Sequence, residues 1–144
     1  MARIITIVSL ILLLTTGCHT AAIMQTVSDA PKLKEQDSFF IGKPLRTLLK
    51  EIGPRIRMAY GEGQPAHHDA LSYFIFKFIT HEELTRYNTA NKKPLSIIVY
   101  IKERFEWDRL SRPLKQRFTW TKKDEQQYGE LTIVNFRIYG DLIQ

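Results

Sequence analysis

The sequence predicts an α+β fold, with about five mostly antiparallel strands in one sheet and about three short helices packed to one side. Three observations point there. Short runs of β-branched and aromatic residues recur through the second half of the chain and are closed by brief turns, which favours antiparallel neighbours over parallel crossovers. Apolar residues at helical spacing form one clear stripe, at Leu45, Leu48, Leu49 and Ile52. Thr-x-x-acid caps precede two further helical stretches, at Thr80/Glu83 and Thr121/Asp124.

The chain opens with a leader. Arg3 supplies a positive start, and Ile4 to Leu14 form an apolar run of 11 residues broken only by Thr6 and Ser9. Spanning a bilayer takes ~20 apolar residues, so this run fits a cleavable export signal, residues 1–17, better than a permanent membrane helix. Residues 18–37 are small, polar and charged, contain Pro31 and show no sustained apolar period. They read as a flexible tether with a reach of ~25 Å. Residues 38–144 then read as a single domain, since the 127 residues beyond the leader suit one core.

The end of the leader carries a more specific signal. Leu14-Thr15-Thr16-Gly17 lead into Cys18, the only cysteine of the chain. This resembles the lipobox of bacterial lipoproteins, with Thr15 where Leu is usual. The resemblance implies that Cys18 becomes the acylated first residue of the mature protein and that the lipid bilayer is its first partner. A lone thiol in an exported chain has no disulfide partner, and lipid attachment accounts for it. One acyl chain binds marginally, whereas several, at ~0.8 kcal/mol per buried methylene, hold a protein on a membrane. His19 follows the cysteine where an Asp would retain an enterobacterial lipoprotein at the inner membrane, so the resemblance implies the outer membrane, facing the periplasm.

Within the domain, Pro44 suits the first turn of a helix whose apolar stripe runs from Leu45 to Ile52 and is stopped by Gly53-Pro54. Ile56, Met58 and Tyr60 alternate with Arg55, Arg57 and Ala59 as in a strand closed by Gly61-Glu62-Gly63. Leu71 to Ile79 is rich in aromatic and branched residues and reads as a central strand. A capped helix from Thr80 to about Asn88 separates it from a second deep strand, Leu95 to Ile101, continuing towards Trp107. Leu114 to Trp120 alternates as a half-exposed strand, and Thr121 to Tyr128 forms a short helix. Glu130 to Tyr139 is the last strand, with Thr132, Val134, Phe136 and Ile138 on one face. The helix from Gly42-Lys43-Pro44-Leu45 to Gly53-Pro54, set before strands on a lipidated domain, is similar in layout to small outer-membrane assembly lipoproteins of the SmpA/OmlA kind. No binding residue is carried across from that likeness.

Function classes narrow by composition. Without its leader the chain holds 20 Lys and Arg against 15 Asp and Glu, a formal charge of +5. On an envelope protein that balance favours anionic head groups, glycan or cell wall over nucleic acid, and the basic residues are scattered, with Lys92-Lys93 and Lys122-Lys123 the only adjacent pairs. No interleaving of basic and aromatic residues of the RNA-binding kind is present. His67-His68-Asp69 is the densest group of possible metal ligands, but neighbours in a loop point apart and zinc needs three or four converging ligands, so no metal or other cofactor is expected. His81-Glu82 is followed by Thr85, so the helical His-Glu-x-x-His pattern is missing. Glu103, Glu106 and Asp108 offer carboxylates of the kind that hydrolyse glycosides across a cleft, intermixed with Lys102, Arg104 and Arg109, which favour surface ion pairing. Trp107 and Trp120, among Tyr100, Phe105, Tyr128 and Tyr139, are candidate binding residues if exposed, since indole faces stack on sugars; core packing is the competing expectation. The sequence therefore predicts a lipid-anchored, non-catalytic interaction or assembly module with an envelope protein or glycan partner. Its alternatives are a cell-wall or glycan hydrolase and a glycan-binding lipoprotein.

Overall fold

A computed structural model describes residues 21–67 and 69–141. Four strands, β1 (Met58–Glu62), β2 (Ser72–Lys77), β3 (Ser96–Ile101) and β4 (Ile133–Tyr139), form one antiparallel sheet in the order β1-β2-β3-β4. Five short α-helices accompany it: α1 (Ala30–Glu35), α2 (Asp37–Phe40), α3 (Leu45–Lys50), α4 (His81–Thr89) and α5 (Lys122–Tyr128). Among the described residues the fold is α+β as the sequence predicts, with one strand fewer and two α-helices more. Among the described residues no helix is long and apolar enough to cross a membrane.

The sheet has one buried face. Register places Ala59, Phe76, Ile97 and Ile138 in one cross-strand row and Gly61, Phe74, Val99 and Phe136 in the next. These rows join Phe40, Leu45, Leu48 and Leu49 of the helices in a single hydrophobic cluster. All four positions of the Leu45–Ile52 stripe are buried, as helical spacing requires of a one-faced helix. The first amides of α3 cannot bond within the helix. They donate to the β4 approach instead, Leu45 N–H to the Leu131 carbonyl at 2.7 Å and Arg46 N–H to that of Gly129 at 2.8 Å.

Helix α4 stands apart. Its capping box forms as the spacing predicts, Thr80 N–H donating to Glu83 at 2.7 Å and Glu83 N–H to the Thr80 hydroxyl at 3.2 Å. None of its residues is buried, so of the five helices it alone adds nothing to the core. Asn91, just beyond its end, takes the left-handed conformation (φ 53°) that an Asn tolerates after a helix.

Two expectations are corrected here. Leu114–Trp120 is not a strand: Leu114–Gln116 is a turn of 3-10 helix, and only its far end pairs with the sheet, through Ala59 N–H donating to the Phe118 carbonyl at 2.8 Å. Pro113 removes a donor before the run and Leu114 finds nothing to pack on, so the alternation there has no buried face to serve.

The second correction concerns the tether. Met24, Ala30 and Leu33, inside the span 18–37, are fully buried in the core. Met24 N–H donates to the Glu51 carbonyl at 2.9 Å, and Gly53 N–H returns a bond to Met24 at 2.7 Å. The folded part therefore starts by Met24; residues 18–20, like the leader, lie outside the described residues. Thr26 and Asp29 fasten this segment. Asp29 accepts from Thr26 N–H at 2.8 Å and the Thr26 hydroxyl at 2.9 Å, and pairs with Lys32 at 2.7 Å.

Those contacts, Lys32 foremost, hold the Asp29 carboxyl down at about 2 against an ordinary 3.8. A carboxyl lowered in the folded state adds stability above its unfolded pKa, and that stability fades as pH falls from about 4 towards about 2. A carbon-13 carboxyl titration is expected to give Asp29 a midpoint near 2. A midpoint at the ordinary value would mean that the Thr26–Lys32 fastening does not form.

Candidate functional site

A broad concavity lies where β1 begins. It is a cleft of about 840 Å³ between residues 55–58, the first turn of α4 and the segment 109–120. That segment carries almost no regular structure, yet it is closely tied down. Ser111 N–H donates to Asp108 at 3.0 Å, Gln116 N–H to the Pro113 carbonyl at 2.7 Å, and Thr119 N–H to that of Gln116 at 3.1 Å. Arg112 is the main fastening. Its guanidinium pairs with Asp124, donates to the Thr119 carbonyl at 3.1 Å and lies over the Trp107 ring at 4.4 Å.

The cleft is strongly basic. Arg55, Arg57, Arg109, Lys115 and Arg117 line it against a single carboxylate, Glu82. None of the five cations makes a salt bridge among the described residues. Phe118–Thr119 folds back antiparallel on β1, opposite Met58 and Ala59, which brings Arg117 to the same cleft as Arg55 and Arg57. Aromatic contacts set the wall, Phe118 against Tyr60 at 6.4 Å and against His81 at 6.3 Å. Sequence reading missed this site, since it saw only scattered positive residues; the alternation Arg55, Arg57 and Lys115, Arg117 was the available signal.

The tryptophans belong to the core. Trp120 is 9% exposed, and Trp107 is half-buried. The two rings stack at 6.3 Å and meet Phe74 edge-on at 5.7 and 5.8 Å. Phe105 and Tyr128 complete the cluster, and Tyr128 donates its hydroxyl to the Glu106 carbonyl at 2.7 Å. Trp107 and Trp120 thus turn their rings towards the core cluster, with Arg112 over Trp107. The half-exposed aromatic row lies elsewhere, on the other face of the sheet, where Tyr60, Tyr73 and Tyr100 run side by side. Tyr139 is exposed at the end of β4.

The other candidates do not converge. Cys18 and His68 lie outside the described residues, while His67 and Asp69 are exposed on the loop before β2. Among the described residues no three His, Cys, Asp or Glu side chains are grouped to hold a metal ion. His81 and Glu82 are exposed on the first turn of α4. Glu103 is a structural acceptor, taking Thr132 N–H at 2.7 Å and its hydroxyl at 2.6 Å. Burial pushes its carboxyl up, but the Thr132 bonds outweigh this and leave it below the ordinary range. Asp108 is also lowered, by the Ser111 hydrogen bonds. A glycosidase acid needs the opposite shift, which neither Glu103 nor Asp108 has.

Comparison with protein-family models, with curated proteins and with solved structures finds no match to the chain.

Proposed function

We propose that the chain is a bacterial envelope lipoprotein, anchored through an acylated Cys18, whose small α+β domain is a non-catalytic interaction module. The observation that carries this reading is the order of events at the start of the chain. A short apolar leader ends in Gly17-Cys18, and a packed domain begins at Met24, six residues later. A cysteine left at that junction is placed to hold the domain on a bilayer. The domain carries a cleft lined by five cations that make no salt bridge among the described residues, which suits binding an anionic partner. The absence of Asp after Cys18 supports the outer membrane, facing the periplasm, as the location.

Feeding cells an alkyne fatty acid and tagging it is expected to label the wild-type chain in the membrane fraction. Cys18→Ser is expected to lose the label. A wild-type chain recovered unlabelled from the soluble fraction would end this reading. Crosslinking in the native envelope then identifies the partner, expected to be an envelope protein or glycan besides the bilayer itself.

A further inference from the structure

The basic cleft has an apolar lip. Leu110 and Leu114, at 72% and 75% exposed, are the most exposed large hydrophobic residues of the described chain, and both line this cleft. Each has a cation beside it in sequence, Arg109 before Leu110 and Lys115 after Leu114. The loop that bears them is held in shape by Arg112, so the two leucines are presented rather than free to fold inward.

The start of the folded chain lies close by. Met24 is bonded to Gly53, and Arg55, two residues further, lines the cleft. A shallower hollow along Ile52, Gly53 and Pro54 runs into the cleft and shares Arg55, Ile56, Thr119 and Trp120 with it. Met24 lies six positions after Cys18. Even fully extended, that stretch reaches no more than ~20 Å. A bilayer gripped at Cys18 is therefore never far from this side of the domain.

We infer that the cleft and its leucine lip seat on an anionic phospholipid surface, the leucines entering the head-group region and the five cations meeting phosphates. The inference deepens the lipoprotein reading, which sets where the bilayer lies. Charge complementarity and the two exposed leucines stand on their own. Basic residues near a negative membrane each strengthen partitioning by about fivefold, and apolar side chains on the same lip add their buried area.

The test uses the full chain processed in cells, carrying Leu110→Cys labelled with an environment-sensitive dye. A second sample carries the dye at Leu71→Cys, an exposed site beyond the opposite end of β2. Both are mixed with vesicles of neutral phosphatidylcholine, or of phosphatidylcholine with one quarter phosphatidylglycerol. Flotation with neutral vesicles reads the anchor, and dye emission reads the cleft. The expected result is flotation on both, with a blue shift at position 110 on the anionic vesicles alone, abolished by high salt, and no shift at position 71. Arg109→Gln with Lys115→Gln, both on exposed residues, is expected to lower anionic-vesicle partitioning of unanchored Cys18→Ser protein about 30-fold. Flotation without a charge-dependent shift at 110 would overturn the cleft and leave the anchor standing. No flotation on neutral vesicles, with the shift intact on anionic ones, would overturn the anchor and support the cleft. Equal shifts on both vesicles would overturn recognition by charge.

Discussion

Phe74→Ala is expected to lower the unfolding free energy by about 3–5 kcal/mol, the usual range for truncating a fully enclosed Phe. Phe74 has no exposed surface and sits in the second strand of the sheet. Its ring stacks on Phe105 at 4.4 Å and on Phe76 at 5.7 Å, meets Trp107 and Trp120 by their edges, and touches Tyr128 at 5.3 Å. Removing it takes one partner from five aromatic contacts at once and leaves a void that the rigid sheet cannot close. Urea unfolding followed by tryptophan fluorescence reads the effect directly, because both indoles flank the ring. A loss below ~1.5 kcal/mol, the level of a conservative apolar swap, would mean that the aromatic cluster is not packed as described.

Asp124→Ala is expected to cost a comparable ~3–5 kcal/mol, for a different reason: it strands a charge. Asp124 is buried and serves twice. It takes the Arg112 guanidinium, and it closes the capping box of α5, accepting from Thr121 N–H at 2.8 Å while its own amide donates to the Thr121 hydroxyl at 3.3 Å. Loss of the cap alone is worth ~1 kcal/mol. The larger part comes from Arg112, left without its carboxylate against the Trp107 ring. Replacing both partners, as Arg112→Met with Asp124→Leu, is expected to restore most of the stability, since no bare charge remains. If the double variant is no better than the single one, the penalty lies in the cap and not in the pair. Amide exchange at Thr119, whose carbonyl neighbours Arg112, should quicken in the single variant first.

Local features of this fold were legible in the sequence. The stripe Leu45, Leu48, Leu49, Ile52 is set by one helix and its period, and the Thr80/Glu83 and Thr121/Asp124 boxes are closed within four residues. What sequence reading lost was decided at long range. Met24 and Leu33 look isolated in a polar stretch, and only the turn after α3 and the face of β4 reveal what buries them. In β4 the pairing shifts between Tyr100 and Ile101, so Ile133 and Phe136 point inward together and the simple alternation through Val134 fails. The cleft was hidden for the same reason: Arg55 and Arg117 are 62 positions apart in the chain and line one cleft because Phe118 is hydrogen-bonded to β1. Cys18 is the reverse case, legible in sequence as a motif and lying outside the described residues.

The attachment of Met24 to the turn after α3 also bears on mechanics. Any tension that enters the domain from its leading end arrives first at the α3 corner, at the Ile23 N–H bond to the Glu51 carboxylate and at two backbone hydrogen bonds, Met24 to Glu51 and Gly53 to Met24, and not at the sheet. Those bonds flank a parallel bridge between Met24 and Ile52, so they share the load instead of opening one after another. A pull from the leading end is thus taken up by the α3 corner, and the strands behind it keep their register while the corner holds.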